Sequence, residues 1–227
     1  METRPVAVVT GGSSGIGLSI ANALSRENIQ VFVLARSTPP FALANTAVTY
    51  IATDVRDLRS ICSAVSLIKK TVGKIKYLVN SAGIGGEMPL EACSEEYYSE
   101  LFDTNVKGAI FVTKSFLPLL QRGGAVCQIS SIAGIRGFSN WSIYSATKFA
   151  LEGFSASLRE ELRTQGIRVM VIRPGSVDTP FYKHLPEITK TGFLKPESVA
   201  RLAVAAILSE TNASVDNIEI NNSQGDL

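Results

Sequence analysis

Three side chains near the middle of the chain have the types and spacing to handle a proton. Tyr144 and Lys148 stand four residues apart, so on a helix they share one face, one above the other. A phenol has an unperturbed pKa of roughly 10, and a nearby positive charge favours its ionised form. Such a pair can act as an acid or a base near neutral pH. The same pair at helical spacing is also common on ordinary surfaces, so its meaning depends on what the rest of the chain places beside it. Upstream lie the adjacent Ser130 and Ser131. On a strand their side chains point to opposite faces, so only one of them can enter a cleft shared with the tyrosine.

The elements that must position these groups can be read from the hydrophobic pattern. Strand-length apolar runs occur at Val6–Thr10, Val31–Ala35, Val48–Ala52, Lys76–Val79, Ala125–Ser130, Ile167–Ile172 and Ile218–Ile220. Between them the spacing predicts helices over Ile16–Arg26, Leu58–Thr71, Glu95–Asp103, Thr104–Gln121, Ser142–Gln165 and Pro196–Ser209. In the second of these, Ile61, Val65 and Ile68 share a face. In the last, Pro196 sits in the first turn, where a missing N–H costs little. The strands are continuous apolar runs, as expected when helices cover both faces of a parallel sheet. Strands alternating with helices imply right-handed βαβ units and an open doubly wound sheet in three α/β/α layers. No repeat, low-complexity tract or linker interrupts the pattern, so residues 1–227 read as one domain. Ligands of such sheets bind at the carboxyl ends of the strands, which gathers the turns after several strands around one cleft.

Composition narrows the classes of function. The 227 residues are 45% hydrophobic and 19% charged, with a net charge of +2. There is no basic run to suggest nucleic acid or an anionic membrane as partner. No apolar run approaches the ~20 residues that span a bilayer, and METRPVAVVTGG lacks the features of a signal peptide. Cys62, Cys93 and Cys127 are far apart and have no metal-ligand spacing; they read as reduced thiols of a cytoplasmic protein. The single histidine, His184, rules out a His-rich metal site.

The first apolar run ends in Thr10-Gly11-Gly12-Ser13-Ser14-Gly15-Ile16-Gly17, which opens the first helix. Glycines permit a tight turn and close backbone approach, and the N–H groups of a helix N-terminus then face an anion. A dinucleotide is the ligand this position favours. An NAD site usually offers an acid about 20 residues on, at the end of the second strand. Here no Asp or Glu occurs between Glu27 and Asp54; Ala35 stands at that place, and Arg36 and Ser37 follow. A guanidinium suits a 2′-phosphate by charge and by its fork of donors. NADP(H) is therefore favoured over NAD(H).

Taken together, Thr10-Gly11-x-x-x-Gly15-x-Gly17, Asp54, Asn80-x-Ala82-Gly83, Asn105, Ser131, Tyr144-x-x-x-Lys148 and Pro174-Gly175 resemble the short-chain dehydrogenases/reductases across essentially the whole chain. The resemblance implies a Rossmann-type fold of about seven strands and an NAD(P)-dependent exchange of hydride with a carbonyl or alcohol. Gly11, Gly15 and Gly17 would shape the pyrophosphate turn, lined by Ser13, Ser14 and Ile16. Asp54, followed by Val55, would bond the adenine amino group, although Asp54 could instead be a helix N-cap, and Asn105 an N-cap or a helix-interior residue bonded to water. Asn80, counted with the cofactor-binding residues, would stabilise the central strands, with Ala82 and Gly83 against the adenosine ribose. Pro174, Gly175, Val177 and Thr179 would bracket the nicotinamide. Tyr144 would be the general acid/base, Ser131 would bond the reacting oxygen, and Lys148 would lower the tyrosine pKa and hold the ribose. Asn105 would complete a proton relay through water. One departure from the family pattern is visible: its usual Asn-Asn-Ala-Gly is Asn80-Ser81-Ala82-Gly83 here.

The substrate side is less informative. Residues 179–195, with Phe181, Tyr182, His184, Leu185, Ile188, Phe193 and Leu194, read as a lid. With Ile132, Phe138 and Trp141 they suggest an apolar pocket for a hydrophobic ketone or aldehyde, or equally a packed lid or a subunit contact. A carbonyl reductase or alcohol dehydrogenase leads. A 3-oxoacyl-thioester reductase and a non-catalytic NADP sensor remain as alternatives. The resemblance also implies a homo-oligomer, dimer or tetramer, paired through the helices at Thr104–Gln121 and Ser142–Gln165, with Ala146, Phe149, Gly153, Phe154, Ser157 and Leu158 as candidate contacts.

Overall fold

Seven runs rich in β-branched and aliphatic residues pair into a single parallel sheet. The strands are β1 (Val6–Thr10), β2 (Gln30–Ala35), β3 (Val48–Ala52), β4 (Ile75–Asn80), β5 (Leu120–Ile129), β6 (Arg168–Pro174) and β7 (Asn217–Ile220). Their order is β3-β2-β1-β4-β5-β6-β7, and every pairing is parallel. The computed structural model describes residues 4–38, 47–182, 192–210 and 212–223. The three lid candidates His184, Leu185 and Ile188 lie outside them.

Helices cover both faces. On one side α1 (Gly15–Arg26) and α6 (Pro196–Ile207) pack Ile20, Leu24, Val199, Ala203 and Ile207 onto the sheet. On the other, α2 (Leu58–Val72), α4 (Ala109–Phe116) and α5 (Ser142–Arg163) contribute Ile61, Ile68, Val112, Phe116, Leu158 and Leu162. Because both faces are covered, β1 is buried along its whole length and β2 and β4 nearly so. The edge strands β3 and β7 have one side open to solvent and are partly exposed. Their apolar runs are correspondingly shorter and more broken.

Sheet order reverses between β1 and β4. The chain first builds outward through β2 and β3, then crosses back to lay β4 against the other side of β1. A cleft opens at the carboxyl ends of strands at such a point, because successive connections leave in opposite directions.

One predicted helix is divided. In place of a continuous Thr104–Gln121 helix, α3 (Glu95–Phe102) runs into a π-helical turn, Asp103–Gly108, then α4, then a 3-10 turn at Leu117–Leu119. Pro118, which has no N–H to donate, lies in that last turn. Strand β5 then begins at Leu120 rather than Ala125, with an irregular register against β4 that is absorbed at Gly123 and Gly124. Gly123 has φ of +75°. A Cβ on Gly124 would stand 2.4 Å from the carbonyl oxygen of Lys76. No helix among the described residues is long and apolar enough to cross a membrane.

Candidate active site

The glycine turn after β1 is built by close backbone contacts. Gly11 has φ of +66°, and a Cβ there would meet the backbone of Ala82 at 2.7 Å. A Cβ on Gly17 would meet the carbonyl oxygen of Gly11 at 2.5 Å. Thr10 Oγ1 accepts from the N–H groups of Ser81 and Ala82 at 3.1 and 3.2 Å, tying the ends of β1 and β4 together. Ser14 at the start of α1 makes no side-chain cap, so the first-turn N–H groups remain available to an anion. They face a cavity of about 540 Å³.

That cavity runs from Arg36, Ser37, Asp54 and Val55 at one end, past the turn residues Gly11, Ser13, Ser14, Gly15, Ile16 and Gly17. It continues along Ala82 and Gly83 to Ser131, Tyr144, Lys148, Pro174, Gly175, Val177 and Thr179. The glycine cradle, the free helix N-terminus and the length of the cleft fit a dinucleotide. Its central pyrophosphate would lie against residues 11–17 and its nicotinamide end against Tyr144 and Lys148.

Asp54 is not a helix cap; that place belongs to Asp57, whose side chain accepts from Arg59 N at 2.9 Å. Arg56 instead forks onto Asp54, with Nε 3.1 Å from both oxygens and Nη2 2.7 Å from Oδ2. The guanidinium holds the Asp54 carboxyl below its ordinary range. Arg56 also lines the cavity and was not among the expected contacts. Its position two residues after the acid that follows β3 is the signal that could have revealed it. Asn80, expected among the cofactor contacts, points elsewhere: it is buried, and its Nδ2 donates to Thr113 Oγ1 on α4 at 2.8 Å. Because Ser81 turns back toward Thr10, Asn80 can face the core and support the sheet.

At the chemical end, α5 carries Tyr144 and Lys148 on one face, and the strand end after β5 supplies Ser131. Ser131 Oγ donates to the carbonyl of Pro174 at 3.5 Å and accepts from Ala133 N at 3.1 Å. Ser130 is buried beside Gly134. Lys148 Nζ donates to the carbonyl of Ile129 at 3.0 Å and lies 5.6 Å from the centre of the Tyr144 ring. In the cofactor-free chain the net shift of Tyr144 is upward, against the lowering expected from the lysine. Burial pushes the Tyr144 phenol up, Tyr182 adds to the rise, and the Ser131 hydroxyl opposes it. Burial also brings Lys148 down to about 8, partly countered by Glu152. Burial penalises the charged form of each group, which moves an acid up and a base down.

The π-helical turn delivers Asn105, buried at 1% exposure, to this region. Its Oδ1 accepts from Ile84 N at 2.9 Å, and its Nδ2 donates to Ile84 O at 2.8 Å and Thr147 Oγ1 at 3.1 Å. The side chain is neither a cap nor solvated. It clamps the loop after β4, and both amide hydrogens are committed.

The substrate candidates divide. Phe181 and Tyr182 line the cavity, and so do Ile84 and Gly85, which the sequence had not singled out. Ile132 is buried in a 3-10 turn. Phe138 packs under Arg136, whose guanidinium lies 5.2 Å from the ring centre. Trp141 backs the site, its ring centre 5.5 Å from that of Tyr144 and 6.2 Å from that of Phe181.

A family model described as short chain dehydrogenase matches residues 5–189. The chain belongs to the short-chain dehydrogenase/reductase family. It is an oxidoreductase of that type, with the NAD(P)-binding fold. An uncharacterized oxidoreductase of Staphylococcus saprophyticus is 32% identical over 95% of this chain and 96% of its own length. The uncharacterized oxidoreductase YusZ of Bacillus subtilis is 39% identical over 79% of this chain and 67% of its own. Among solved structures, an alcohol dehydrogenase from Thermococcus sibiricus complexed with 5-hydroxy-NADP superposes with a TM-score of 0.90 at 28% identity, covering 97% of both chains. A short chain dehydrogenase from Burkholderia cenocepacia in complex with NADP gives a TM-score of 0.88 at 25% identity, covering 96% of both.

Proposed function

We propose that this chain is an NADP(H)-dependent carbonyl reductase acting on small, largely apolar ketones or aldehydes. The observation that carries the reading is one cleft with two chemically distinct ends. At one end Tyr144, Ser131 and Lys148 converge; at the other stands Arg36, with Ala35 where a ribose-binding acid would be.

Bound there, the nicotinamide would supply the hydride. The residues do the rest. Tyr144 donates its proton to the carbonyl oxygen of the substrate. A phenol is protonated through neutral pH, the form a donor needs during reduction. Ser131 Oγ hydrogen-bonds the same oxygen and orients it. Lys148 holds the ribose beside Tyr144. Arg36 and Ser37 take the 2′-phosphate, with Ser13, whose Oγ is 3.4 Å from that of Ser37. Asp54, oriented by Arg56, bonds the adenine. The two structural neighbours bound to NADP and 5-hydroxy-NADP support this choice of cofactor.

Initial rates with NADPH and NADH across ketones, aldehydes and acetoacetyl thioesters test the reading. Thioesters as the best substrates would favour the 3-oxoacyl-thioester reductase instead. Tight NADPH binding with no turnover on any carbonyl would favour the sensor. Arg36→Ala should reduce the preference for NADPH about 10–100-fold, the value of one charge-assisted hydrogen bond. An unchanged preference removes the phosphate assignment.

We also propose a homo-oligomer. Of the expected contacts on α5, Leu158 is buried in the core and Phe154 packs against it. Ala146, Phe149, Gly153 and Ser157 are exposed and available to a second copy. Light scattering after size exclusion should give a dimer or tetramer, and a strict monomer refutes the assignment.

A further inference from the structure

The face of α5 that carries the catalytic pair continues for one more turn. Tyr144, Lys148 and Glu152 stand four residues apart in succession, so the third side chain stacks beyond the first two. Glu152 is enclosed by two further elements, and a third holds its partner. Arg173 near the end of β6 forks onto it, with Nε to Oε1 at 3.1 Å and Nη2 to Oε2 at 2.8 Å. The same guanidinium reaches Asn217 Oδ1 on β7 at 3.0 Å. From the remaining side, a Cβ on Gly134 would meet Glu152 Cγ and Oε1 at 3.1 Å and Ser130 Oγ at 2.8 Å. The carboxylate therefore sits directly behind the loop that carries Ser131. Both members of the pair are largely buried, at 19% exposure for Arg173 and 14% for Glu152. Arg173 immediately precedes Pro174 and Gly175, which line the cavity.

We propose that Glu152 and Arg173 form a positioning pair for Lys148: the carboxylate supplies counter-charge to the buried ammonium, and the arginine limits that charge while tying α5 to the end of β6. This rests on the assignment of Tyr144 and Lys148 to the chemistry. Among the described residues, the charged and titratable groups that bear on the lysine and its ion pair sit on several elements. On α5 they are Tyr144 and Glu152; on β6, Arg173; on β7, Glu219, which acts on Arg173; and in the turn at Pro180–Tyr182, Tyr182, which acts on Tyr144. Burial alone brings Lys148 toward its neutral form, and Glu152 is the group that opposes this. The helical spacing of positions 148 and 152 points to the same neighbour.

A merely structural ion pair and a charge-setting one predict different results. Removing a negative neighbour lowers the pH at which an ammonium loses its proton, and removing a positive neighbour raises it. The lysine can be followed directly by 15N NMR of the cofactor-free chain labelled on lysine, with Lys148→Met to assign the signal. Glu152→Gln should move the Lys148 midpoint down by about 0.5 pH or more, and Arg173→Gln should move it up. The alkaline limb of the pH–rate profile with NADPH and a ketone should follow in the same two directions. If Arg173→Gln does not fold, the Glu152→Gln/Arg173→Gln double variant replaces it, and its midpoint should lie above that of Glu152→Gln. Midpoints that stay put, or that move the same way in both single variants, overturn the proposal. The NMR titration needs no turnover, so absence of carbonyl reduction would defeat the functional reading without touching this one. Unmoved midpoints in an active enzyme would do the reverse.

Discussion

Tyr144→Phe should lose about 10²–10⁴-fold in kcat while still binding NADPH, because a positioned general acid contributes that much. The substitution removes one oxygen and keeps the ring, which packs against Trp141 and Phe181 at 5.5 and 5.6 Å between centres. The fold and the aromatic wall should therefore survive, and the loss should fall on the chemical step. Single-turnover rates at saturating NADPH, with cofactor binding followed by fluorescence, separate the two. Near-normal turnover on a good substrate would show that the proton comes from elsewhere.

Gly85→Ala should be almost as damaging, at a residue with no functional group. A Cβ there would stand 2.4 Å from Cδ2 and 2.7 Å from Cε2 of Tyr144, and 2.8 Å from Cζ of Phe181. Carbon atoms attract only at about 3.5–4.0 Å, so the ring must shift by roughly 1 Å. Displacement on that scale costs about 10²-fold when reacting groups have to be aligned. The adjacent glycine is the internal control. A Cβ on Gly86 would find Tyr97 Oη at 3.8 Å, an ordinary contact, so Gly86→Ala should leave kcat/KM within a few-fold of wild type. Equal losses in the two variants would mean that the loop, rather than the tyrosine ring, is what the extra methyl disturbs.

Much of this arrangement could be read before any coordinates were known. Continuous apolar runs at Val6–Thr10 and Val31–Ala35 require cover on both faces, and that requirement leads to a parallel sheet with helices on each side. The strand-to-glycine junction at Thr10-Gly11 is similarly explicit, since tight turns restrict residue type. The helix from Thr104 to Gln121 was misjudged because hydrophobic spacing does not register a π-helical turn, which uses the same residue types as its α-helical neighbours. Arg56 and Gly85 were overlooked for another reason. Their importance lies in what stands opposite them, Asp54 in one case and the Tyr144 ring in the other, and those contacts exist only after folding. The direction of the Tyr144 shift was hidden likewise, because sequence spacing reveals a neighbouring charge but not the depth of burial that opposes it.

The Asn105 amide, in giving Ile84 both an acceptor and a donor, copies the way a neighbouring strand would greet an extended residue. The segment after β4 has no strand beside it at this point, so one side chain acts as a fragment of borrowed backbone. That makes the position all-or-none in vocabulary: a carboxylate lacks the donor, an alcohol lacks the reach, and only a carboxamide carries the full pattern of a peptide group. Beside the proposed proton donor, this residue is a piece of carpentry. A lineage that ceased to need the chemistry would still have reason to keep the asparagine.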